Sequence, residues 1–210
     1  MLVFKNKYFF IIESIRDINL KNIKNSNKFC IIYRPKKTAE NIEKLIQFRK
    51  ICKTKNIDFY ASNSVKLANI LKADGIYISA YNKSLKISHL KNFKTKIIGS
   101  AHNIKELNIK KLQGCSSIIF SRLFATSYNY KKGFLGVIKF NLLKLSRKEN
   151  LVPLGGIRLS NLNKLSTVKC DSIALSSEII KKPIFLSRRF FWLNELRQKK
   201  RGEKSPLLIL

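Results

Sequence analysis

Acidic residues are scarce in this chain: 12 Asp and Glu stand against 43 Lys and Arg in 210 residues, a formal charge of +31. There are only two histidines, four prolines and eight glycines. No carboxylate pair falls at a predicted strand end, and no Ser-His-Asp set or Gly-x-Ser-x-Gly turn is present, which excludes the usual glycosidase and triad-hydrolase arrangements. The four cysteines, Cys30, Cys52, Cys115 and Cys170, form no Cys-x-x-Cys and have no histidine at zinc-ligand spacing. They read as reduced thiols, Cys30 and Cys115 lying beside apolar strands as small hydrophobes. No apolar run approaches the roughly 20 residues that span a bilayer. The apolar stretch within residues 1–12 runs on into Glu13 and Asp17 instead of a small-residue cleavage site. Export is therefore not expected, and a cytoplasmic location is.

The excess of cations suggests nucleic acid, because clustered Lys and Arg bind phosphates by releasing counterions. Their distribution points elsewhere. Lysines occur in almost every segment alongside abundant Asn and Ile, as biased base composition would produce, so most are read as solvated faces. The one basic cluster, Arg188-Arg189 and then Arg197 to Lys204, reads as the end of a helix running into a frayed tail. Neither a nucleic-acid nor a membrane partner is expected, while phosphorylated small molecules would be attracted.

Length suits one domain, read as residues 1–185, with 186–210 the end of the last helix and the basic tail. Eight short apolar runs recur: Tyr8 to Ile12, Phe29 to Tyr33, Phe59 to Ala61, Gly75 to Ile78, Lys96 to Gly99, Ser116 to Phe120, Leu151 to Leu154 and Ser172 to Leu175. Their near-continuous hydrophobicity predicts parallel strands buried on both faces. Between them, Ala39 to Lys55, Val65 to Leu71, Ile104 to Leu112, Leu159 to Leu165 and Glu178 onward carry helical patterns, whereas Glu13 to Lys28 is a poorly patterned crossover. The α/β class is expected, as a single-domain (β/α)₈ TIM barrel. An open doubly wound sheet is the other reading, but no Gly-x-Gly-x-x-Gly follows the first strand.

Chemistry in such a barrel sits at the carboxyl ends of the strands. Leu154-Gly155-Gly156-Ile157 ends the seventh strand, and Ser176-Ser177-Glu178 ends the eighth. Two glycines let a backbone approach a ligand closely, and unpaired amides there attract anions. The same rule selects Arg34 and Lys36, Ser62 and Asn63, Asn82, Ser100 and His102, and Thr126 and Ser127. Nearly all of these groups suit phosphates. Asp74, just before Gly75, reads as a turn or strand-end hydrogen-bonding group, and His89 as a surface residue.

These residues resemble the thiamine phosphate synthase/TenI family of barrels. Tyr33-Arg34-Pro35-Lys36 is similar to its Gln-x-Arg-x-Lys segment. Leu67-Ala68 with Ala73-Asp74-Gly75-Ile76-Tyr77-Ile78 matches its Leu-Ala…Ala-Asp-Gly-Val-His-Leu, and Ile98-Gly99-Ser100-Ala101-His102 its Gly-x-Ser-x-His. Thr126, then Gly155-Gly156-Ile157-Arg158 with Asn161, and Ala174-Leu175-Ser176-Ser177-Glu178-Ile179 complete the order. The resemblance implies condensation of hydroxymethylpyrimidine diphosphate with thiazole phosphate, releasing pyrophosphate. It implies that Arg34, Lys36 and Ser100 serve the diphosphate, and that Gly155, Gly156, Ser176 and Ser177 hold the acceptor phosphate. Small phosphorylated pyrimidine and thiazole ligands are then the partners, with homo-oligomerisation left open.

The chain departs from the family pattern at several points. Ile32 replaces the glutamine, and Asn63 and Asn82 occupy the positions of the two Mg²⁺ carboxylates, a change that weakens magnesium binding. Thr126 is kept, but the cation of its loop returns only at Lys131 and Lys132. Within the TenI branch, the histidine after the fifth strand serves a thiazole tautomerase, and here that residue is His102. A metal-independent tautomerase with His102 as its proton carrier, or a non-catalytic barrel binding thiamine-related phosphates, are the alternatives. Mg²⁺ is expected for a synthase and no cofactor otherwise.

Overall fold

A computed structural model of the chain describes residues 7–23, 27–36, 40–87, 95–126 and 133–176. Lys131, Lys132, Ser127, Ser177, His89, the helix expected from Glu178 onward and the basic cluster near the end of the chain all lie outside the described residues. Eight strands close into one barrel in sequence order, β1 (Tyr8–Ile12), β2 (Phe29–Tyr33), β3 (Asp58–Ser62), β4 (Gly75–Ile78), β5 (Lys96–Ala101), β6 (Ser117–Ser121), β7 (Asn150–Leu154) and β8 (Ile173–Leu175). Every neighbouring pair is parallel, and β8 returns to β1 with Tyr8 opposite Ile173. This is the (β/α)₈ barrel expected.

The alternation of side chains explains why the strands read as continuous apolar runs. Phe9, Ile11, Cys30, Ile32, Tyr60, Tyr77, Ile98, Ile119, Val152 and Ala174 pack together as one cluster inside the barrel. Their neighbours Phe10, Ile12, Ile31, Tyr33 and Phe59 point outward and pack with Leu45, Phe48 and Cys52 of the first helix. Both faces of each strand are therefore dry. Ile32, standing where the family has glutamine, fills barrel core.

Helices α1 (Ile42–Thr54), α2 (Val65–Ile70) and α3 (Ile104–Leu112) start at Asn41, Ser64 and Asn103, whose side chains accept from the amides of Glu43, Leu67 and Glu106. The fourth helix, α4 (Gly136–Leu145), was not apparent in the sequence pattern. It has no side-chain cap, and Ile138, Leu142 and Leu145 face solvent, which blurs its apolar period. The helix expected over Leu159 to Leu165 is a 3₁₀ segment, Leu159–Thr167, and the first crossover holds two 3₁₀ turns, Ile15–Asp17 and Leu20–Asn22.

Polar groups close the amino end of the barrel. Lys7 pairs with Asp58 at 2.7 Å, and Asn150 Nδ2 donates to Ser117 Oγ at 3.0 Å. Asp74 accepts from the Phe59 amide at 2.7 Å and pairs with Arg49 at 2.9 Å. Asp74 therefore has the strand-end role expected of it, at the end of the barrel opposite Gly155 and Gly156.

Candidate active site

At the carboxyl end, the residues just beyond the strands converge. The Arg34 amide donates to Ile12 O at 2.8 Å, extending the β1–β2 pairing by one step and setting Arg34 beside Glu13. Glu13 reaches Lys36 Nζ at 2.5 Å and Arg34 Nη2 at 3.7 Å. Its backbone is fixed from below: the amides of Glu13 and Ser14 both donate to Asp17 Oδ2, and Ser14 Oγ donates to Glu40 Oε1. A single carboxylate thus holds the two expected diphosphate cations together.

Beneath them lies Tyr77, whose hydroxyl is close enough to Ser100 and Arg34 for both to act on its ionisation. Burial raises the phenol's pKa, and the Ser100 and Arg34 contacts oppose that rise. Ser100 is 5% exposed and lies close to the Tyr77 hydroxyl, below the residues that line the cavity.

The glycine turn after β7 is built against the chain beyond β6. Leu123 N donates to Leu154 O and Phe124 N to Gly155 O, which carries the β6–β7 pairing past both strand ends. Gly155 and Gly156 have φ of 96° and 68°, in the left-handed region that favours glycine. A Cβ on Gly156 would stand 2.5 Å from the carbonyl oxygens of Phe124 and Ala125. Asn161 locks the turn, donating to Gly156 O at 2.7 Å and accepting from the Arg158 amide at 2.8 Å. Arg122 crosses the same turn and donates to Thr126 Oγ1 at 3.0 Å and Gly133 O at 2.8 Å.

One cavity brings together Arg34, Lys36, His102, Thr126, Gly155, Gly156 and Ser176 from the expected set. Glu13 and Arg122 also line it, and neither was singled out as a site residue from the sequence. Both directly follow strands, β1 and β6, so the strand-end rule alone would have found them. His102 is held by its own amide, which donates to Glu106 Oε2 at 2.7 Å, with Nδ1 3.8 Å from the same carboxylate and the Tyr81 ring beside it.

Asn63 and Asn82 come together, but outside the cavity lining. Asn63 Oδ1 accepts from Ser79 N at 3.0 Å and Asn82 Nδ2 at 3.3 Å, and Asn82 Oδ1 accepts from Ser84 N at 3.0 Å. Both side-chain oxygens are engaged, and neither carries charge. These residues do not fit Mg²⁺, which favours anionic oxygens in strict octahedral geometry. Among the described residues no three His, Cys, Asp or Glu side chains stand close enough to share a metal.

The fold is a (β/α)₈ barrel in which residues following β2, β6, β7 and β8 line one cavity at the carboxyl end. The profile of the thiamine monophosphate synthase family matches residues 17–179, and the chain belongs to that family. It is 30% identical over 184 residues to the thiamine-phosphate synthase of Pelagibacter ubique, a match covering 82% of this chain and 88% of that protein. A thiamine-phosphate synthase of Prochlorococcus marinus is 27% identical over 153 residues, covering 71% of this chain and 44% of the relative. Among solved structures, thiamine phosphate pyrophosphorylase from Pyrococcus furiosus superposes with a TM-score of 0.66 at 18% identity, covering 86% of this chain and 90% of that one. Among the described residues no helix is long and apolar enough to cross a membrane.

Proposed function

We propose that this protein is a thiamine phosphate synthase, joining hydroxymethylpyrimidine diphosphate to thiazole phosphate. The bond between the pyrimidine methylene carbon and the diphosphate oxygen breaks, and both electrons leave with pyrophosphate. The thiazole nitrogen then gives its lone pair to that carbon. In this reading Arg34 and Lys36 exchange Glu13 for the leaving diphosphate and stabilise its growing charge. Tyr77 and Ser100 hold Arg34 from below. The backbone at Gly155 and Gly156, with Ser176, takes the acceptor phosphate, joined by Ser177 and Lys131 as the sequence suggests. A cytoplasmic location goes with this reading and suits four cysteines that form no disulfide.

The observation that carries the proposal is the family match over residues 17–179, combined with Arg34, Lys36 and the glycine turn facing one cavity. Incubating purified protein with both substrates tests it, and thiamine phosphate should form. No product, with thiazole phosphate still bound, turns the assignment to the second reading. That reading, a thiazole tautomerase, is favoured by His102, which lines the cavity with its imidazole 43% exposed and a carboxylate 3.8 Å from Nδ1. Loss of tautomerisation in His102→Ala, with condensation absent from the wild type, would establish it.

A further inference from the structure

The cavity has an unusual charge balance for a site expected to hold a divalent cation. Arg34, Lys36, Lys105, Arg122, Lys139 and Arg158 line it, and Glu13 is the single carboxylate among the described lining residues. Glu13 is already paired with Lys36 and Arg34. Asn63 and Asn82, at the positions of the family's metal carboxylates, spend their oxygens on Ser79, Ser84 and each other. A divalent cation entering here meets like charge and one occupied acceptor; a diphosphate meets donors in excess. We infer that this chain binds the diphosphate group without a divalent cation, neutralising it with Arg34 and Lys36 and with Arg122, the guanidinium that follows β6.

Arg122 is placed for this by the turn it crosses. Its Cγ lies 3.1 Å from where a Cβ on Gly155 would be, so the side chain rests directly on the glycine turn. Thr126 Oγ1 and Gly133 O are neutral acceptors that orient the guanidinium over the turn. The positive charge is thus built into the loop that also carries Thr126. An arginine fork held this way matches phosphate oxygens in geometry as well as charge.

This inference rests on the reading of the cavity as a diphosphate site, and calorimetric titration of the full chain with inorganic pyrophosphate separates the two. Pyrophosphate should bind in chelator, with an affinity within about threefold of that in magnesium. Arg122→Gln and Arg122→Lys disturb the loop similarly, yet the charged variant should bind at least about fivefold more tightly in chelator than the neutral one. Binding that vanishes in chelator and returns with magnesium overturns the inference and leaves the diphosphate site standing. Absence of binding under both conditions overturns both. Equal affinity of the two Arg122 variants overturns the part given to Arg122.

Discussion

Asn82 Nδ2 donates to Asn63 Oδ1 across 3.3 Å, tying the residue that follows β3 to the segment after β4. Asn63 sits at φ 55°, a left-handed conformation that asparagine tolerates, and its amide also brackets Ser79 through Ser79 N and Oγ. Replacing both by aspartate sets two anions where a donor met an acceptor. Asn63→Asp with Asn82→Asp should lower stability in chelator by about 1–2 kcal/mol. Magnesium should raise the melting temperature of the double variant and leave the wild type unmoved, as thermal denaturation with and without the ion will read.

Tyr77→Phe removes the hydroxyl between Arg34 and Ser100 and leaves the ring in the barrel core. Arg34 then loses its lower support while keeping Glu13. The KM for the pyrimidine diphosphate should rise about fivefold, the cost of roughly one hydrogen bond, with the KM for thiazole phosphate unchanged. A drop in kcat with both KM values constant would reject this role.

Gly156→Ala forces a side chain into a left-handed turn and against two carbonyl oxygens at 2.5 Å. Stability should fall by about 2 kcal/mol. Asn161→Ala keeps the glycines but removes both hydrogen bonds that lock them. It should weaken thiazole phosphate binding more than pyrophosphate binding, which titration of each ligand distinguishes.

Lys110 is fully buried on α3, where Nζ donates to Asn82 O at 2.7 Å and Gln113 Oε1 at 2.9 Å. Burial lowers its pKa from 10.5 to about 8, opposed by the nearby Cys115 and Glu106. Between these values the unfolded chain holds a proton that the folded chain has released, so this group's contribution to stability rises with pH through the window. The neutral amine still donates to both acceptors. The urea midpoint of the wild type, less that of Lys110→Met, should increase from about pH 7.5 to about pH 9.5. A constant difference would show that Lys110 is not relieved of its charge.

The strands were legible because each is apolar on both faces; β1, β2 and β4 match their runs at both ends, and the others differ by one or two residues at one end or both. Helix α4 was hidden because it lacks a capping side chain and shows Ile138, Leu142 and Leu145 to solvent. At the site, Arg34, Lys36 and the two glycines could be read from strand-end position and motif. Glu13 and Arg122 hold equivalent strand-end positions but belong to no motif segment. The role of Tyr77 depends on β2, β4 and β5 bringing Arg34, Tyr77 and Ser100 within reach, a closeness that no spacing along the chain encodes. Asn63 and Asn82 were legible as lost carboxylates, whereas the bonds that occupy their oxygens came only with the fold.

The glycine turn is pinned from two sides, by the extended β6–β7 pairing and by Asn161. Its backbone conformation is therefore chosen as the barrel closes, before any phosphate arrives. The entropy of ordering that loop is lost during folding and not again at binding, so affinity comes from preorganisation. Affinity and barrel integrity are linked in consequence: loosening the β6–β7 edge should cost phosphate binding while most of the chain remains folded.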